Sequence, residues 1–508
     1  MKVVTAGQMR RIDELAIRER AMPGAVLMDH AGKAVVQEAV ERFEPDSVIV
    51  VCGKGNNAGD GFVAARELDR RGIRTTLALL KPVEELSGDA LDAYRKVPES
   101  VRRLVRPSRE ELQEELVQHD LLIDAIFGTG LRGPLEGEWA AVIQTINAAG
   151  VNVLSIDVPS GLSGDAALEV GPHVRAMVTV TIGRPKLGLV LDPGVRATGT
   201  VVVADVGFPN DLLEDPRITT NLMTLDEARA LLPPRPPSGN KGTFGKVMIL
   251  GGSEGMTGAA VLAARAAARS GAGLVYSCYP RALGPIMESH LIEPVKLPLA
   301  GAEGWFTSAM TGRVLEEAEA MDAVAIGPGL GRRPETGKFL AEIITKIKAP
   351  LVIDADALNL LAEKVELLAL RPGPTVLTPH PGEAARLLDT SIAEVQKNRL
   401  EAFVAFAREY NVVTVLKGAQ TITTEPGGQR WINPTGNSGL AKGGSGDVLT
   451  GLVVGLLAQG APEEVAARLG VFLHGLAGDI AAERHGVRAM LPGDVIEAFG
   501  ETFKRLQK

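Results

Sequence analysis

Two cysteines in 508 residues are too few for a disulfide framework or a cysteine-built zinc cluster. Cys52 and Cys278 each lie in an apolar, strand-like stretch, which reads as a buried free thiol, and reduced thiols suit the cytoplasm. Positive charge is also in short supply: 54 Lys and Arg face 62 Asp and Glu, a formal net charge of -8. That balance argues against a nucleic-acid partner held on a basic surface. It leaves room for a small anion gripped by backbone N–H groups. No apolar run approaches the roughly 18 residues that a membrane span needs, so no membrane partner is expected. The first twenty residues hold five Lys or Arg and three acids, without the apolar stretch of a signal peptide. A cytoplasmic location is the resulting expectation. No short-period repeat is found.

What the chain does have is an ordinary globular composition, 45% hydrophobic and 23% charged, over a length that calls for two or more domains. Short apolar runs at 47–52, 74–80, 121–127, 152–156, 177–182 and 201–206 alternate with helical patterns such as 24–43 and 62–71. That alternation predicts a mostly parallel sheet with helices on both faces. Composition turns polar and acidic after Pro209, so 210–220 is the expected boundary. The proline cluster at 233–237 reads as an early loop of the second domain, because 222–232 already has helical spacing. Strand candidates at 246–250, 274–279, 323–326, 351–354, 375–377 and 412–416 then alternate with helices at 258–270, 447–458 and 465–482. Residues 421–424 and 430–433 read as a hairpin. The expected domains are 1–215 and 222–508, both α/β.

Two glycine-rich stretches each carry an acid: Gly53-Lys54-Gly55-Asn56-Asn57-Ala58-Gly59-Asp60-Gly61 and Gly443-Gly444-Ser445-Gly446-Asp447. Each leads into a helical pattern and can aim backbone N–H groups at an anion. Nearly 400 residues separate them, so they predict two active sites, for two steps on one phosphate-bearing substrate.

In the first half, further strand ends carry Asp124 and the following Gly128–Pro134 segment, then Asp157-Val158-Pro159-Ser160-Gly161, then Lys186. In an open α/β sheet, ligands gather at the carboxyl ends of the strands. An aspartate at a strand end is often only a helix N-cap, but several at successive ends favour a site. The paired asparagines with Asp124 and the Asp157–Gly161 segment resemble the NAD(P)H-hydrate epimerase family over roughly residues 1–215. That family usually has glycine where this chain has Ala58. The resemblance implies a Rossmann-like three-layer sandwich and a potassium ion held by Asn57, Asp124 and Ser160. It implies substrate contacts from Asn56, Asn57, Ala58, Gly59 and Asp60, from Gly128, Thr129, Gly130, Leu131, Arg132, Gly133 and Pro134, and from Asp157. Hard oxygen donors suit a hard cation. Epimerisation at the hydrated ring carbon passes through an iminium or ring-opened species and needs proton transfer beside the nicotinamide. Asp157 is the first candidate for that role, ahead of Lys186, which could equally hold a phosphate.

In the second half, three glycines in four residues let the backbone approach an anion closely, and the helix dipole adds partial positive charge. Asp447 at such a site is electrostatically odd unless it takes a proton while the N–H groups hold a transferring phosphoryl group. Gly251-Gly252-Ser253, Thr257-Gly258-Ala259-Ala260, Gly327-Pro328-Gly329-Leu330-Gly331, Thr378-Pro379-His380-Pro381-Gly382-Glu383 and Lys417-Gly418-Ala419-Gln420-Thr421 lie at further strand ends or helix starts. His380, between two prolines in this company, is read as functional; His474, inside an apolar helix, is read as core. These segments resemble the ADP/ATP-dependent NAD(P)H-hydrate dehydratase family, of ribokinase-like fold, over about residues 222–505. The Asn240–Gly245 stretch supports the resemblance, with asparagine where histidine is usual. It implies nucleotide contacts from Lys417, Gly418, Ala419, Gln420, Thr421 and Gly446, hydrate contacts from Ala259, Gly329, His380 and Asp447, and magnesium with the nucleotide. In the implied reaction the nucleotide phosphorylates the hydrate hydroxyl, with Asp447 as base, and the ring nitrogen then expels phosphate. Fused bacterial members of the family use ADP, releasing AMP and phosphate.

The expectation is therefore a fused bifunctional repair enzyme acting on hydrated NADH and NADPH (NADHX and NADPHX) with ADP or ATP, and a homo-oligomer. The alternative is a ribokinase-like small-molecule kinase fused to a non-catalytic N-terminal binding module.

Overall fold

In the first half of the chain the apolar runs are buried on both sides, the pattern of a parallel sheet covered by helices. The computed structural model describes residues 1–131, 133–165 and 171–507. Two units separate: Lys2–Ile218, and the chain from Thr219 onward together with Met1.

The first unit is built on seven strands: β1 (Ser47–Cys52), β2 (Arg74–Leu79), β3 (Arg102–Val105), β4 (Leu121–Ala125), β5 (Asn152–Ile156), β6 (Val178–Ile182) and β7 (Thr200–Ala204). Their order is β3-β2-β1-β4-β5-β6-β7 and every pairing is parallel. Val48, Val50 and Cys52 of β1 enter one apolar core, and Ile49 and Val51 enter another. Successive side chains of a strand point to opposite faces, so the sheet is the middle of a three-layer sandwich. Winding reverses between β1 and β4. A crevice opens at such a switch, outside the carboxyl ends of the two strands.

The second unit repeats this logic on a larger mixed sheet. Its strands are β8 (Thr220–Leu222), β9 (Lys246–Leu250), β10 (Leu274–Pro280), β11 (Val295–Leu299), β12 (Ala323–Ile326), β13 (Leu351–Ile353), β14 (Thr375–Leu377), β15 (Val413–Leu416), β16 (Ile422–Thr424) and β17 (Arg430–Ile432). The order is β11-β10-β9-β12-β13-β14-β15-β16-β17-β8. Only the β15–β16 and β16–β17 pairings are antiparallel; the second is the hairpin expected from sequence. Val247 and Ile249 enter one core, Met248 and Leu250 the other. Here the switch lies between β9 and β12.

Both glycine-rich stretches differ from expectation in the same way. The first helix begins at Asn56, with Gly55 as N-cap, so the asparagines are its first turn rather than a loop ahead of residue 62. The second helix begins at Ser445, after Gly444 at φ +99°. Three strands escape sequence reading. β3 is largely exposed, β11 contains Pro298 at a sheet edge, and β8 is a three-residue edge strand. The helix Glu463–His485 is long and apolar enough to cross a membrane by length and hydropathy alone. Of its most apolar window, 72% is buried inside the unit.

Candidate active sites

Asp124 is the penultimate residue of β4 and is completely buried. Its carboxylate accepts from Ser155 Oγ (2.9 Å), from Ser160 N (2.8 Å) and from Ser160 Oγ (2.6 Å). Ser160 Oγ in turn accepts from Phe127 N (2.8 Å) and lies 3.2 Å from Phe127 O. Burial raises the Asp124 carboxyl above its usual range, against the pull of the Ser160 hydrogen bonds. Asn57, in the first turn of its helix, is also buried, and its Nδ2 has no hydrogen-bond partner. Gly128 stands between two side chains: a Cβ there would lie 3.1 Å from Asn57 Oδ1 and 3.2 Å from Asp157 Oδ2. Asn57, Asp124, Asp157, Ser160 and Gly128 therefore share one mouth, at the switch between β1 and β4 and the neighbouring end of β5.

Asp157 sits just past β5 at φ +66°, its N–H held by Val180 O (2.8 Å). Its Oδ1 accepts from Lys186 Nζ (2.5 Å) and Ile182 N (3.3 Å). Lys186 is wholly buried and also donates to Ile182 O and Thr181 Oγ1. This bonding ties Asp157 Oδ1 down and leaves Oδ2 facing Gly128. Two other acids share the field. Asp60 is driven well above the usual carboxylate range by burial, then by the charges of Asp157 and Asp13. Asp13, on the helix Ala6–Glu19, is pushed up to about 6 by burial, with Lys186 opposing. Ala58 is buried in the apolar core, so its methyl group packs inward. Asn56 is exposed at the helix start. In the Gly128–Pro134 segment Thr129 O accepts from Arg10 Nη1 (3.1 Å), and Gly130, Gly133 and Pro134 are exposed. Arg132 lies outside the described residues.

In the second unit the centre is a carboxylate that sequence reading missed. Asp354 follows β13, buried to 1% exposure. Its Oδ1 accepts from Lys417 Nζ (2.7 Å) and its Oδ2 from Thr450 Oγ1 (2.7 Å). Its position at a strand end, like those of Asp124 and Asp157, was the available signal. Lys417 approaches Glu383 Oε2 at 3.9 Å, and a Cβ on Gly446 would lie 3.2 Å from Lys417 Nζ. Burial opposes the charge on Lys417, but Asp354 and Glu383 hold it protonated, above its ordinary range. Two further acids of the cluster hold their protons more tightly than usual. Asp447, in the first turn of helix Ser445–Ala458, is pushed up to about 7 by burial and then by the charge of Asp354. Glu383 is pushed up to about 7, again chiefly by burial.

His380 is the N-cap of helix Pro381–Leu387. Its Nδ1 accepts from Gly382 N (2.9 Å), while Glu383 answers to His380 N (2.8 Å). The half-exposed ring is thus held at both nitrogens, since its Nε2 lies 3.3 Å from Glu383 Oε1. His474 is buried as expected, pushed down to about 4 by burial, with a hydrogen bond to the Ser445 backbone. It thus supports the glycine loop from behind. The Lys417–Thr421 turn is closed by Thr421 Oγ1 donating to Gly418 O (2.9 Å), with Gly418 at φ +146° and Gln420 at φ +47°. Ala259 and Gly329 meet across the switch: a Cβ on Gly329, which has φ +61°, would lie 3.1 Å from Ala259 Cβ.

Two α/β units, each with a lysine-bridged acid cluster at strand ends and the second of ribokinase-like topology, define a two-site enzyme. Comparison with known proteins agrees. The second unit is similar to a ribokinase-like superfamily protein of Enterococcus faecalis, 25% identical, covering 57% of this chain and 96% of that one with a TM-score of 0.50. A Bacillus subtilis ADP/ATP-dependent NAD(P)H-hydrate dehydratase, co-crystallised with ATP and Mg2+, is 34% identical over 56% of this chain and 98% of its own, TM-score 0.49. Residues 247–500 match the NAD(P)H-hydrate dehydratase family and residues 24–188 the YjeF-related protein N-terminus. A bifunctional NAD(P)H-hydrate repair enzyme of Moorella thermoacetica is 43% identical across 100% of this chain and 98% of its own length. One from Thermofilum pendens is 38% identical, covering 96% and 93%. The chain belongs to the bifunctional NAD(P)H-hydrate repair enzyme family.

Proposed function

We propose that the first unit interconverts the R and S hydrates of NADH and NADPH, and that the second dehydrates the S form at the expense of ADP. The observation that carries this reading is the pair of unlike acids. Asp157 is anchored through Oδ1 with Oδ2 turned to the substrate loop, while Asp447 stands unbridged at a helix N-terminus. In the first site Asp157 is the group that moves a proton at the hydrated ring, with Lys186 fixing its orientation. In the second, Asp447 takes the proton of the ring hydroxyl as the terminal phosphoryl group of ADP is transferred to that oxygen, releasing AMP. The ring nitrogen then expels phosphate, the C–O bond breaks and the adjacent carbon loses a proton, which restores the reduced nicotinamide. Phosphate leaves where hydroxide would not, which is why a nucleotide is consumed. Lys417 and the N–H groups around Gly446 are placed to steady the transferring charge.

The residues of the first site suit potassium. Asn57, Ser160 and Asp124 supply neutral and anionic oxygens, and Asn57 Oδ1 faces the same mouth as Asp157 Oδ2, beside Gly128. A potassium ion there would supply fixed positive charge beside the substrate. Magnesium in the second unit would arrive with the nucleotide phosphates, because no group of three or more His, Cys, Asp or Glu is arranged to hold a metal among the described residues. Full-length relatives carry both halves, which disfavours a kinase joined to an unrelated binding module. Two buried free thiols support a cytoplasmic site of action. Exposed Ile286, Ile292 and Val295 beside the unpaired edge of β11 support a homo-oligomer, tested by light scattering.

The test is return of the reduced-nicotinamide absorbance from hydrated NADH on adding ADP and magnesium. A stable phosphorylated product with no NADH would instead mark a kinase.

A further inference from the structure

The crevice at the switch between β9 and β12 continues outward past the glycine loops. Ser253 follows β9, Gly331 follows β12, and beside them opens a cleft of about 420 Å³. Ser253 Oγ donates to Gly329 O (2.9 Å), so the inner end of the cleft is the loop that presents Gly329. Its lining also includes Trp305, Arg332 and Arg333. The Arg333 guanidinium lies over the Trp305 ring, 4.0 Å from its centroid, and Trp305 Nε1 is buried without a hydrogen-bond partner. Arg332 is mostly exposed, and its ion pair with Asp356 is long at 3.7 Å. Asp356 is engaged elsewhere, accepting from Gly331 N (3.0 Å).

Phosphoryl transfer at Asp447 and Lys417 uses none of these lining residues. An aromatic face, a guanidinium plane and a second guanidinium in one cleft are what a purine and its phosphates require. Glu254, also in the lining, offers a carboxylate of the kind that ribose hydroxyls donate to, and with Asp356 it makes the cleft unsuited to a bare polyphosphate. The volume falls within the range of small-ligand sites, roughly 300–1,000 Å³. The hydrate is a dinucleotide: one end reacts, and the other carries adenosine and phosphate.

We propose that Trp305, Arg332 and Arg333 bind the adenosine-phosphate half of the dinucleotide hydrate, with the reacting ring lying past Gly329 towards Asp447. This assignment rests on the repair function proposed above. It makes these side chains determinants of substrate length, separate from the nucleotide site at Lys417–Thr421.

The experiment compares the S hydrate of NADH with hydrated reduced nicotinamide mononucleotide, which lacks the adenosine half, both with ADP and magnesium. In Trp305→Ala and in Arg333→Ala the KM for the full hydrate should rise about tenfold or more, the scale of a lost charge-assisted contact. The KM for the truncated hydrate and the KM for ADP should stay within about twofold of the unaltered protein, a margin well under one such contact. That constancy also shows the variants are folded. An equal rise on the truncated substrate, a rise in the KM for ADP alone, or an unchanged KM for the full hydrate overturns the assignment. If the unaltered protein restores no NADH from the full hydrate, the repair function fails, and this assignment with it.

Discussion

Each unit places a buried lysine–aspartate pair at its strand ends, and the two pairs are wired differently. In the first, Lys186 grips Asp157 through Oδ1, and Oδ2 faces Gly128. In the second, Lys417 grips Asp354, an acid turned inward onto Thr450, and leaves Asp447 unbridged. A lysine bound to the reacting acid fixes its direction. A lysine bound to its neighbour sets a field in which the reacting acid keeps a raised proton affinity. In the proposed roles, orientation would serve a stereochemical step at Asp157, and the unbridged Asp447, pushed up to about 7, would serve as a base for a hydroxyl.

The largest effect expected is at Asp447. Asp447→Asn should cut NADH recovery from the S hydrate by roughly 10²–10⁴-fold, the usual worth of a positioned base. Interconversion of the two hydrates, followed by chromatography, should persist. Asp157→Asn should produce the mirror image, slowing interconversion by a comparable factor while sparing recovery from pure S hydrate. Lys186→Met would leave Asp157 buried beside Asp13 and Asp60 without its cation. Breaking a buried pair costs about 3–5 kcal/mol, readable as loss of stability in urea.

The pH dependence sharpens the contrast. Asp447 must be ionised to act as base, so recovery of NADH from the S hydrate should fall as pH drops below about 7. Its folded-state affinity for a proton exceeds that of the unfolded chain, so the group lowers stability as pH rises from the unfolded value towards 7. Asp447→Asn should therefore raise the melting temperature by a few degrees at pH 8, a gain that shrinks to nothing near pH 4. Asp354→Asn should free Lys417 to pair with Asp447 and move the activity profile to lower pH; an unmoved profile would break the account of the two pairs. The smallest effect is at Ala58, whose methyl group packs into the core. Ala58→Gly should cost about 1 kcal/mol in urea unfolding, the ordinary penalty of glycine in a helix.

The strands that position both sites were legible because parallel strands buried on two faces are written as continuous apolar runs, as in Ser47–Cys52 and Lys246–Leu250. The edge strands were not: Arg102–Val105 is exposed and charged, and Val295–Leu299 holds a proline. Helix starts at Asn56 and Ser445 were hidden because glycine reads locally as a turn, while here Gly55 and Gly444 are the residues from which the helices begin. Asp124, Asp157 and Asp447 could be found from motif and strand-end position. Asp354 sits at an equivalent strand end, but no glycine-rich stretch adjoins it. Its role depends on Lys417 and Thr450, 63 and 96 residues further along the chain.

On the proposed function, one chain performs two separable steps with two different acids. The most direct measurement supplies R hydrate alone, with ADP and magnesium, to the unaltered protein, to Asp157→Asn and to Asp447→Asn, and follows both NADH and the remaining epimers. The unaltered protein should restore NADH. Asp157→Asn should restore it only at the rate of spontaneous epimerisation, and Asp447→Asn should accumulate S hydrate without NADH. Full-rate recovery by Asp157→Asn, or NADH formation by Asp447→Asn, would contradict the account.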